Sequence, residues 1–126
     1  MPKVLLIEDD LPLLRMYQVA FSRSGVEFLH AIDGIEGLEL AKKRKPDLIL
    51  LDMVLPKKNG FEVLKELKSD SELKKIPVVC LTVLHQKEDM ENCKHLGAED
   101  YLVKTDILPE KVVEKVLARL KKVNNS

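Results

Sequence analysis

Short apolar runs alternate along the chain with longer segments in which apolar residues recur every three or four positions. The run Leu48–Leu51 contains no polar residue, which is typical of a strand buried on both faces of a parallel sheet. Comparable runs, the second of them weaker, predict five strands at residues 4–7, 26–31, 48–51, 78–82 and 98–103. The chain is therefore predicted to alternate strands with helices from end to end.

The segments between the runs carry the spacing and the end signals of helices. Pro12 fits the first turn of the first helix, and Gly25 closes it. The predicted buried face of that helix consists of Leu13, Met16, Tyr17, Ala20 and Phe21. Asp33 is the predicted N-cap of the second helix, and Pro109 opens the last one.

The fourth predicted helix has a thin apolar stripe. Within HQKEDMENCKHLG, only Met90, Cys93 and Leu96 recur at helical spacing, so this helix is predicted to be the least firmly held. The last helix has a full stripe before the polar tail KKVNNS, formed by Val112, Val113, Val116, Leu117 and Leu120.

Five strand–helix repeats without linkers predict one fold class. Right-handed crossovers favour a parallel sheet with helices on both faces, so we expect a doubly wound α/β fold. The flavodoxin-like (βα)5 version has five parallel strands in the order 2-1-3-4-5. A chain of 126 residues fits a single domain.

Composition narrows the classes of partner. Lys plus Arg and Asp plus Glu both number 21, and no basic block is present, so nucleic acid and membrane surfaces are not expected partners. The segment MPKVLLIEDD is too short and too acidic for a signal peptide or a membrane span, and we expect a cytoplasmic protein. Cys80 and Cys93 lack metal-site spacing and are expected to be reduced thiols packed as small apolar side chains.

Polar residues follow four of the predicted strands where each strand ends. Glu8 and Asp9 follow the first strand, Asp52 the third, Thr82 ends the fourth, and Lys104 follows the fifth. The carboxyl ends of parallel strands lie at one edge of the sheet, beside the switch point between the first and third strands. Three carboxylates gathered there require a cation, and an oxygen-only ligand set favours Mg²⁺.

This set of side chains suits phosphoryl transfer. With the metal bound, Asp52 becomes a carboxylate nucleophile, Lys104 balances phosphoryl charge and the Thr82 hydroxyl donates to a phosphoryl oxygen. Asp10 is interpreted as a helix cap rather than a ligand. The three histidines are interpreted as surface residues, namely His30, His85 and His95.

The motifs LLIEDD, DMVLPKKNG, VCLT and GAEDYLVK resemble those of response-regulator receiver domains, the CheY-like phosphoacceptors of two-component systems. The similarity covers nearly the whole chain, from Lys3 to about Lys122. LLIEDD supplies the acidic pair, DMVLPKKNG the phosphoacceptor loop, and VCLT and GAEDYLVK the switch residues and the lysine. We therefore expect a single receiver domain over residues 1–126.

The resemblance implies a phosphorelay signalling switch that catalyses only its own phosphorylation and dephosphorylation. Asp52 would accept a phosphoryl group from a sensor histidine kinase or a phosphotransfer protein. Mg²⁺ would be held by Glu8, Asp9, Asp52 and the backbone carbonyl of Val54. Thr82 would then move toward the phosphate and Tyr101 would turn inward, which would remodel the surface of helix 4, strand 5 and helix 5 for an unknown downstream protein.

Three positions depart from the family pattern. Thr105 replaces the usual proline after Lys104, so we expect a trans bond, because a cis bond to Thr costs roughly 3–4 kcal/mol. Val83 is branched where a small residue is usual and is expected to crowd the path of Thr82. Val54 and Leu84 are apolar on the route of the hydrolytic water, which predicts a slowly decaying aspartyl phosphate.

Three other interpretations fit the residues less well. A haloacid-dehalogenase-type phosphatase would need a second Asp two residues after Asp52, where Val54 stands. A degenerate receiver that serves only for docking fits poorly with the intact set of acids, and a flavin site fits poorly with an acidic loop after strand one. We expect a monomer or weak dimer. We also expect that the chain either acts by binding partner proteins or was cut from a larger regulator.

Overall fold

A computed structural model of the protein describes residues 1–124, and the side chains through Lys122. Five parallel strands form one sheet in the order β2-β1-β3-β4-β5. The strands are β1 Lys3–Ile7, β2 Glu27–Ala31, β3 Leu48–Leu51, β4 Val78–Thr82 and β5 Asp100–Val103. The predicted fold class and strand order are confirmed. β2 starts one residue later than predicted, and β5 starts two residues later.

Five α-helices connect and follow the strands. They are α1 Leu11–Phe21, α2 Gly34–Arg44, α3 Gly60–Ser69, α4 Lys87–His95 and α5 Pro109–Asn124, with short 3₁₀ turns at Leu73–Lys75 and Lys104–Asp106. α5 continues through Asn124 and so includes the first four residues of the polar segment KKVNNS; residues 125–126 lie outside the described part of the chain. None of the described helices combines the length and the apolar character needed to cross a membrane.

Side-chain caps fix the starts of three helices. Asp10 accepts a hydrogen bond from the Leu13 amide, and Asp33 accepts one from the Glu36 amide. Asn59 forms a reciprocal capping box with the third residue of α3. The predicted cap roles of Asp10 and Asp33 are therefore confirmed. Each cap fixes the start of the helix that follows the carboxyl end of a strand.

Two apolar layers cover the two faces of the sheet. One layer packs α1 and α5 against alternate strand residues such as Leu6 and Leu50, and the other packs α2, α3 and α4 against the residues between them. Every residue of β3 is fully buried. Burial on both faces accounts for the uninterrupted apolar run that predicted this strand.

The buried face of α1 differs from the predicted one. Leu14, Tyr17 and Phe21 are buried, whereas Met16 is 52% exposed. Relative to the predicted orientation, the helix is rotated about its axis, so that Leu14 lies in the core and Met16 faces solvent. The prediction for Met16 is therefore wrong, because two neighbouring helical stripes share Tyr17 and Phe21 and spacing alone does not choose between them.

The thin stripe predicted for α4 is confirmed. Cys93 is the fully buried side chain of this helix, while Met90 is 42% exposed and Leu96 is half-buried. Gln86 at the N-cap makes no side-chain capping hydrogen bond. Few buried contacts and an uncapped start leave α4 weakly anchored.

Candidate functional site

The carboxyl ends of β1 and β3 bring three carboxylates together. Glu8 and Asp9 follow β1, Asp52 follows β3, and the Asp52 amide donates to the Ile7 carbonyl at 3.1 Å, which ties the two strand ends together. One carboxylate oxygen from each of the three acids lies within 4.8 Å of the others. Glu8 and Asp52 are buried, while Asp9 is exposed. The cluster is thus open to solvent on the side of Asp9.

Lys104 neutralises part of this negative charge. Its ammonium forms ion pairs with Glu8 and with Asp52, the latter at 2.7 Å from Oδ2, and the Lys104 side chain is only 9% exposed. Burial opposes the charged ammonium, but the hydrogen bonds and charges of Asp52 and Glu8 together raise the pKa of Lys104 above its ordinary value. Lys104 is therefore a fixed cation beside Asp52.

Glu8 has a strongly perturbed carboxyl group. Burial raises the pKa of Glu8 to about 7, the charge of Asp52 adds to this effect, and Lys104 opposes it. Oε2 accepts a hydrogen bond from the Asp10 amide at 3.1 Å. Oε1 is buried and forms the ion pair with the Lys104 ammonium.

The loop after β3 fixes the orientation of the Asp52 carboxylate. Oδ1 accepts a hydrogen bond from the Val54 amide at 3.1 Å, and Oδ2 accepts one from Lys104. The Gly60 amide donates to the Met53 carbonyl at 3.1 Å. A Cβ atom at Gly60 would lie 2.3 Å from the Asp52 carbonyl oxygen, so the start of α3 presses directly against the loop.

The donor set fits a hard divalent cation. All the available ligands are oxygens, and two of the three carboxylates are buried. Magnesium prefers such ligands and retains several waters, which an opening toward Asp9 would allow. The predicted gathering of Glu8, Asp9 and Asp52 is thus present in the structure.

Thr82 and Tyr101 meet at the loop that follows β4. The Thr82 side chain is buried, and its Oγ1 accepts from the Leu84 amide at 3.4 Å. The Tyr101 hydroxyl donates to the Leu84 carbonyl at 2.8 Å, and burial raises the Tyr101 pKa. No hydrogen bond joins Thr82 to Asp52 among residues 1–124. Leu84 therefore connects the two predicted switch residues through its backbone.

Several site features were absent from the sequence prediction. The Leu84 carbonyl is a backbone atom, so its pairing with Tyr101 had no residue-type signal. The buried Tyr17 lies near enough to the cluster for Lys104, Glu8 and Asp52 to influence its pKa, which burial chiefly raises. It was predicted only as core. The predictions of a trans bond to Thr105 and of exposed histidines are confirmed.

A family model described as the response regulator receiver domain matches residues 4–117. The chain belongs to this family. Response regulator receiver domains are the signalling domains of two-component systems, so the predicted class of protein is confirmed.

Curated relatives and solved structures agree with this assignment. The chain is 39% identical over 121 residues to the DNA-binding dual master transcriptional regulator RpaA of Synechocystis sp. (strain ATCC 27184 / PCC 6803 / Kazusa), covering 96% of this chain and 48% of RpaA. It is 39% identical over 110 residues to the polar-differentiation response regulator DivK of Brucella anthropi, covering 86% of this chain and 89% of DivK. The chain therefore spans about half the length of RpaA and most of DivK.

Two solved structures are similar over nearly their whole length. The Mn(2+)-bound form of response regulator Rcp1 has a TM-score of 0.83 at 34% identity and covers 92% of this chain and 91% of that one. Vibrio cholerae chemotaxis protein CheY4 has a TM-score of 0.85 at 33% identity and covers 95% of this chain and 98% of that one.

Proposed function

We propose that this chain is a phosphorylation-controlled switch in which Asp52 accepts a phosphoryl group from a phosphohistidine of a sensor histidine kinase or phosphotransfer protein. The observation that carries the proposal is the placement of the Asp52 carboxylate between the Lys104 ammonium and the Val54 amide, beside two further carboxylates. One Asp52 oxygen attacks phosphorus, the phosphorus–nitrogen bond breaks, and the imidazole leaves with a proton from solvent.

The side chains of the site have separate roles in this step. Lys104 is held on Asp52 and balances charge on the incoming phosphoryl oxygens. Glu8, Asp9, Asp52 and the Val54 carbonyl would hold Mg²⁺. When bound, Mg²⁺ supplies positive charge to the phosphoryl oxygens and lessens the repulsion between the acids. In this proposal the protein catalyses only its own phosphorylation and dephosphorylation.

The signal leaves the site through the loop after β4. In this proposal, the Thr82 hydroxyl gives up its contact with the Leu84 amide and donates to a phosphoryl oxygen, which moves the Leu84 backbone. Tyr101 stays inward on the Leu84 carbonyl and follows that backbone. The face formed by α4, β5 and α5 is remodelled for a downstream partner, in line with the weak anchoring of α4.

An apolar patch beside the acids suits the phosphodonor protein. The patch consists of Leu11, Met16, Val19 and Leu108, each more than half exposed. It borders a groove between α1 and the start of α5, and Leu11 follows Asp9 by only two residues. A docked donor helix would cover the patch and bring its phosphohistidine to Asp52. Met16→Ser with Val19→Ser should slow transfer from an autophosphorylated histidine kinase and leave transfer from acetyl phosphate unchanged.

Acetyl phosphate provides a test without a protein donor. Incubation with acetyl phosphate and Mg²⁺, followed by intact mass, should give one stable phosphoryl group per chain, lost in Asp52→Asn and when EDTA removes the metal. Asp10→Asn, which retains a capping side chain outside the cluster, should be modified like the wild type. Continued turnover of acetyl phosphate would indicate a phosphatase, and an unmodified chain would indicate a docking module; either result would refute the switch.

A further inference from the structure

The loop between β3 and α3 contains a strained turn. Lys57 has a φ of +67°, a value that residues with a side chain adopt rarely. The Lys58 amide donates to the Pro56 carbonyl at 2.7 Å, so these three residues form a γ-turn. A γ-turn with positive φ at its centre is the rare and strained form of this turn. Such a conformation persists only where surrounding contacts hold it.

The start of α2 supplies one of these contacts. The Lys57 ammonium forms an ion pair with Asp33 Oδ2 at 3.5 Å, while Asp33 Oδ1 accepts the capping hydrogen bond from the Glu36 amide at 2.8 Å. The Asp33 side chain is only 9% exposed. Because the cap already fixes this carboxylate, only the lysine loses conformational freedom when the pair forms. One carboxylate thus holds both the first turn of α2 and the strained turn.

The backbone of the loop also rests on α2. A Cβ atom at Gly34 would lie 2.0 Å from the Lys58 carbonyl oxygen, and the Gly34 amide donates to the Pro56 carbonyl at 3.5 Å. Both neighbours of Lys57 therefore contact the first residue of α2. Gly60 fixes the end of the loop separately, at the start of α3. The strained turn is thus held from α2 and not only from the elements that the loop connects.

Val54 lies between Asp52 and the strained turn. Its amide holds Asp52 Oδ1, and the proposed function assigns its carbonyl to the metal. A turn that relaxed at Lys57 would let the preceding residues shift, and both backbone groups of Val54 would shift with them. The ion pair on α2 therefore bears on the metal site without contributing a ligand, since Asp33 is not one of the three clustered acids.

We propose that Asp33 and Lys57 are positioning residues of the metal site, whose ion pair holds the strained turn and thereby the Val54 backbone. This inference rests on the proposed function, because it concerns the affinity of that site for Mg²⁺. It assigns to α2 a part in metal binding, although α2 carries none of the proposed ligands.

The sign of one substitution separates positioning from simple electrostatics. A lysine that acted only through its charge would repel the metal, so its removal would strengthen magnesium binding. Positioning requires the opposite: Lys57→Ala keeps the strained φ without its ion pair and should weaken binding by about threefold or more. Lys57→Gly should stay within about twofold of the wild type, because glycine adopts positive φ without steric cost. Lys57→Arg retains the pair and should also bind like the wild type.

Titration of the whole chain with magnesium chloride, followed by NMR at the Val54 amide, measures these affinities. Lys58→Ala removes the same charge one residue later and is the matched control, because the Lys58 ammonium pairs with Glu66 of α3 at 2.8 Å. It should bind magnesium like the wild type. The Lys57 side chain is 65% exposed, so its substitution leaves the core intact.

A double-mutant cycle tests the ion pair itself. Asp33→Asn keeps a capping side chain for α2 but loses the charge. It should weaken magnesium binding about as much as Lys57→Ala, and the double variant should be no weaker than either single one. Charges that acted independently would instead give opposite effects that cancel in the double variant, and this outcome would overturn the proposal.

The same titration distinguishes failure of the positioning role from failure of the proposed function. Magnesium uptake by the wild type with equal or tighter binding in Lys57→Ala would overturn the positioning role alone. A wild-type protein that takes up no magnesium would overturn the proposed metal site, and the positioning role with it.

Discussion

At the scale of single residues, Glu8 and Lys104 form an ion pair next to Asp52. Glu8 is 1% exposed, and its ion pair with Lys104 is buried. Burial of the Glu8 carboxylate outweighs its attraction to Lys104, since the pKa of Glu8 is raised. Without a bound metal ion, the ionised Glu8 carboxylate therefore destabilises the folded protein.

Glu8→Gln should remove a pH dependence of stability in metal-free protein. The folded-state pKa is raised from 4.5 to about 7, so Glu8 favours folding below pH 4.5, and this contribution is lost as the pH rises through 7. In EDTA, the free energy of unfolding should fall over this range by up to about 3 kcal/mol more in the wild type than in Glu8→Gln. Urea titrations at several pH values measure the difference.

Glu39→Gln on the exposed face of α2 is the matched control and should follow the wild type. Equal pH slopes for Glu8→Gln and the wild type would contradict the assignment of the raised pKa to Glu8.

The apolar residues Val54 and Leu84 are predicted to set the lifetime of the phosphoryl group. Val54 is 51% exposed beside Asp52, and Leu84 is half-buried in the loop after Thr82. Neither side chain can orient a water molecule by hydrogen bonding. Val54→Asn with Leu84→Glu should accelerate loss of the phosphoryl group by roughly tenfold or more, measured by intact mass after removal of acetyl phosphate.

Val19→Asn makes the same change in polarity at an exposed position of α1 and should leave the decay rate unaltered. An unchanged decay rate in the double variant would show that these two side chains do not control hydrolysis.

At the scale of elements, the start of α3 lies so close to the phosphoacceptor loop that there is no space for a side chain at Gly60. A Cβ atom at Gly60 would meet the Asp52 carbonyl oxygen at 2.3 Å and the Met53 Cα at 2.4 Å. Both are backbone atoms and cannot turn away. The glycine therefore lets α3 start directly beneath the loop that carries Asp52.

Gly60→Ala should destabilise the protein by about 3 kcal/mol and slow phosphorylation of Asp52, because the added methyl group displaces the loop. Gly25→Ala is the comparison: Gly25 has a φ of +82° but open space around it, so only a left-handed backbone strain of about 1 kcal/mol is added. Thermal unfolding and acetyl phosphate kinetics compare the two variants. Equal effects on both measurements would argue against the loop contact.

The elements themselves were predictable because burial on both faces leaves continuous apolar runs, as in β3. The strand ends then located Glu8, Asp9 and Asp52 at one edge. The rotation of α1 was not predictable, because Leu14 and Met16 are both apolar and the choice depends on how the helix packs against α5.

At the scale of the whole molecule, stability is expected to be uneven. β3 is completely buried in the middle of the sheet, and α5 presents a long apolar stripe to the core, whereas α4 contributes one fully buried side chain. Amides of α4 should exchange with deuterium roughly tenfold or more faster than those of β3. The reason is that local opening of the weakly anchored α4 exposes its amides while β3 stays folded. Uniform exchange across both elements would show that α4 opens only when the entire protein unfolds.

The two tyrosines provide built-in optical probes. The chain contains no tryptophan, so tyrosine emission is not masked. Tyr17 belongs to the layer formed with α5, and Tyr101 packs against the opposite layer with its hydroxyl on the Leu84 carbonyl. In Tyr17→Phe, the remaining fluorescence would come from Tyr101 alone, which would make any rearrangement around its hydroxyl visible in real time without an attached dye.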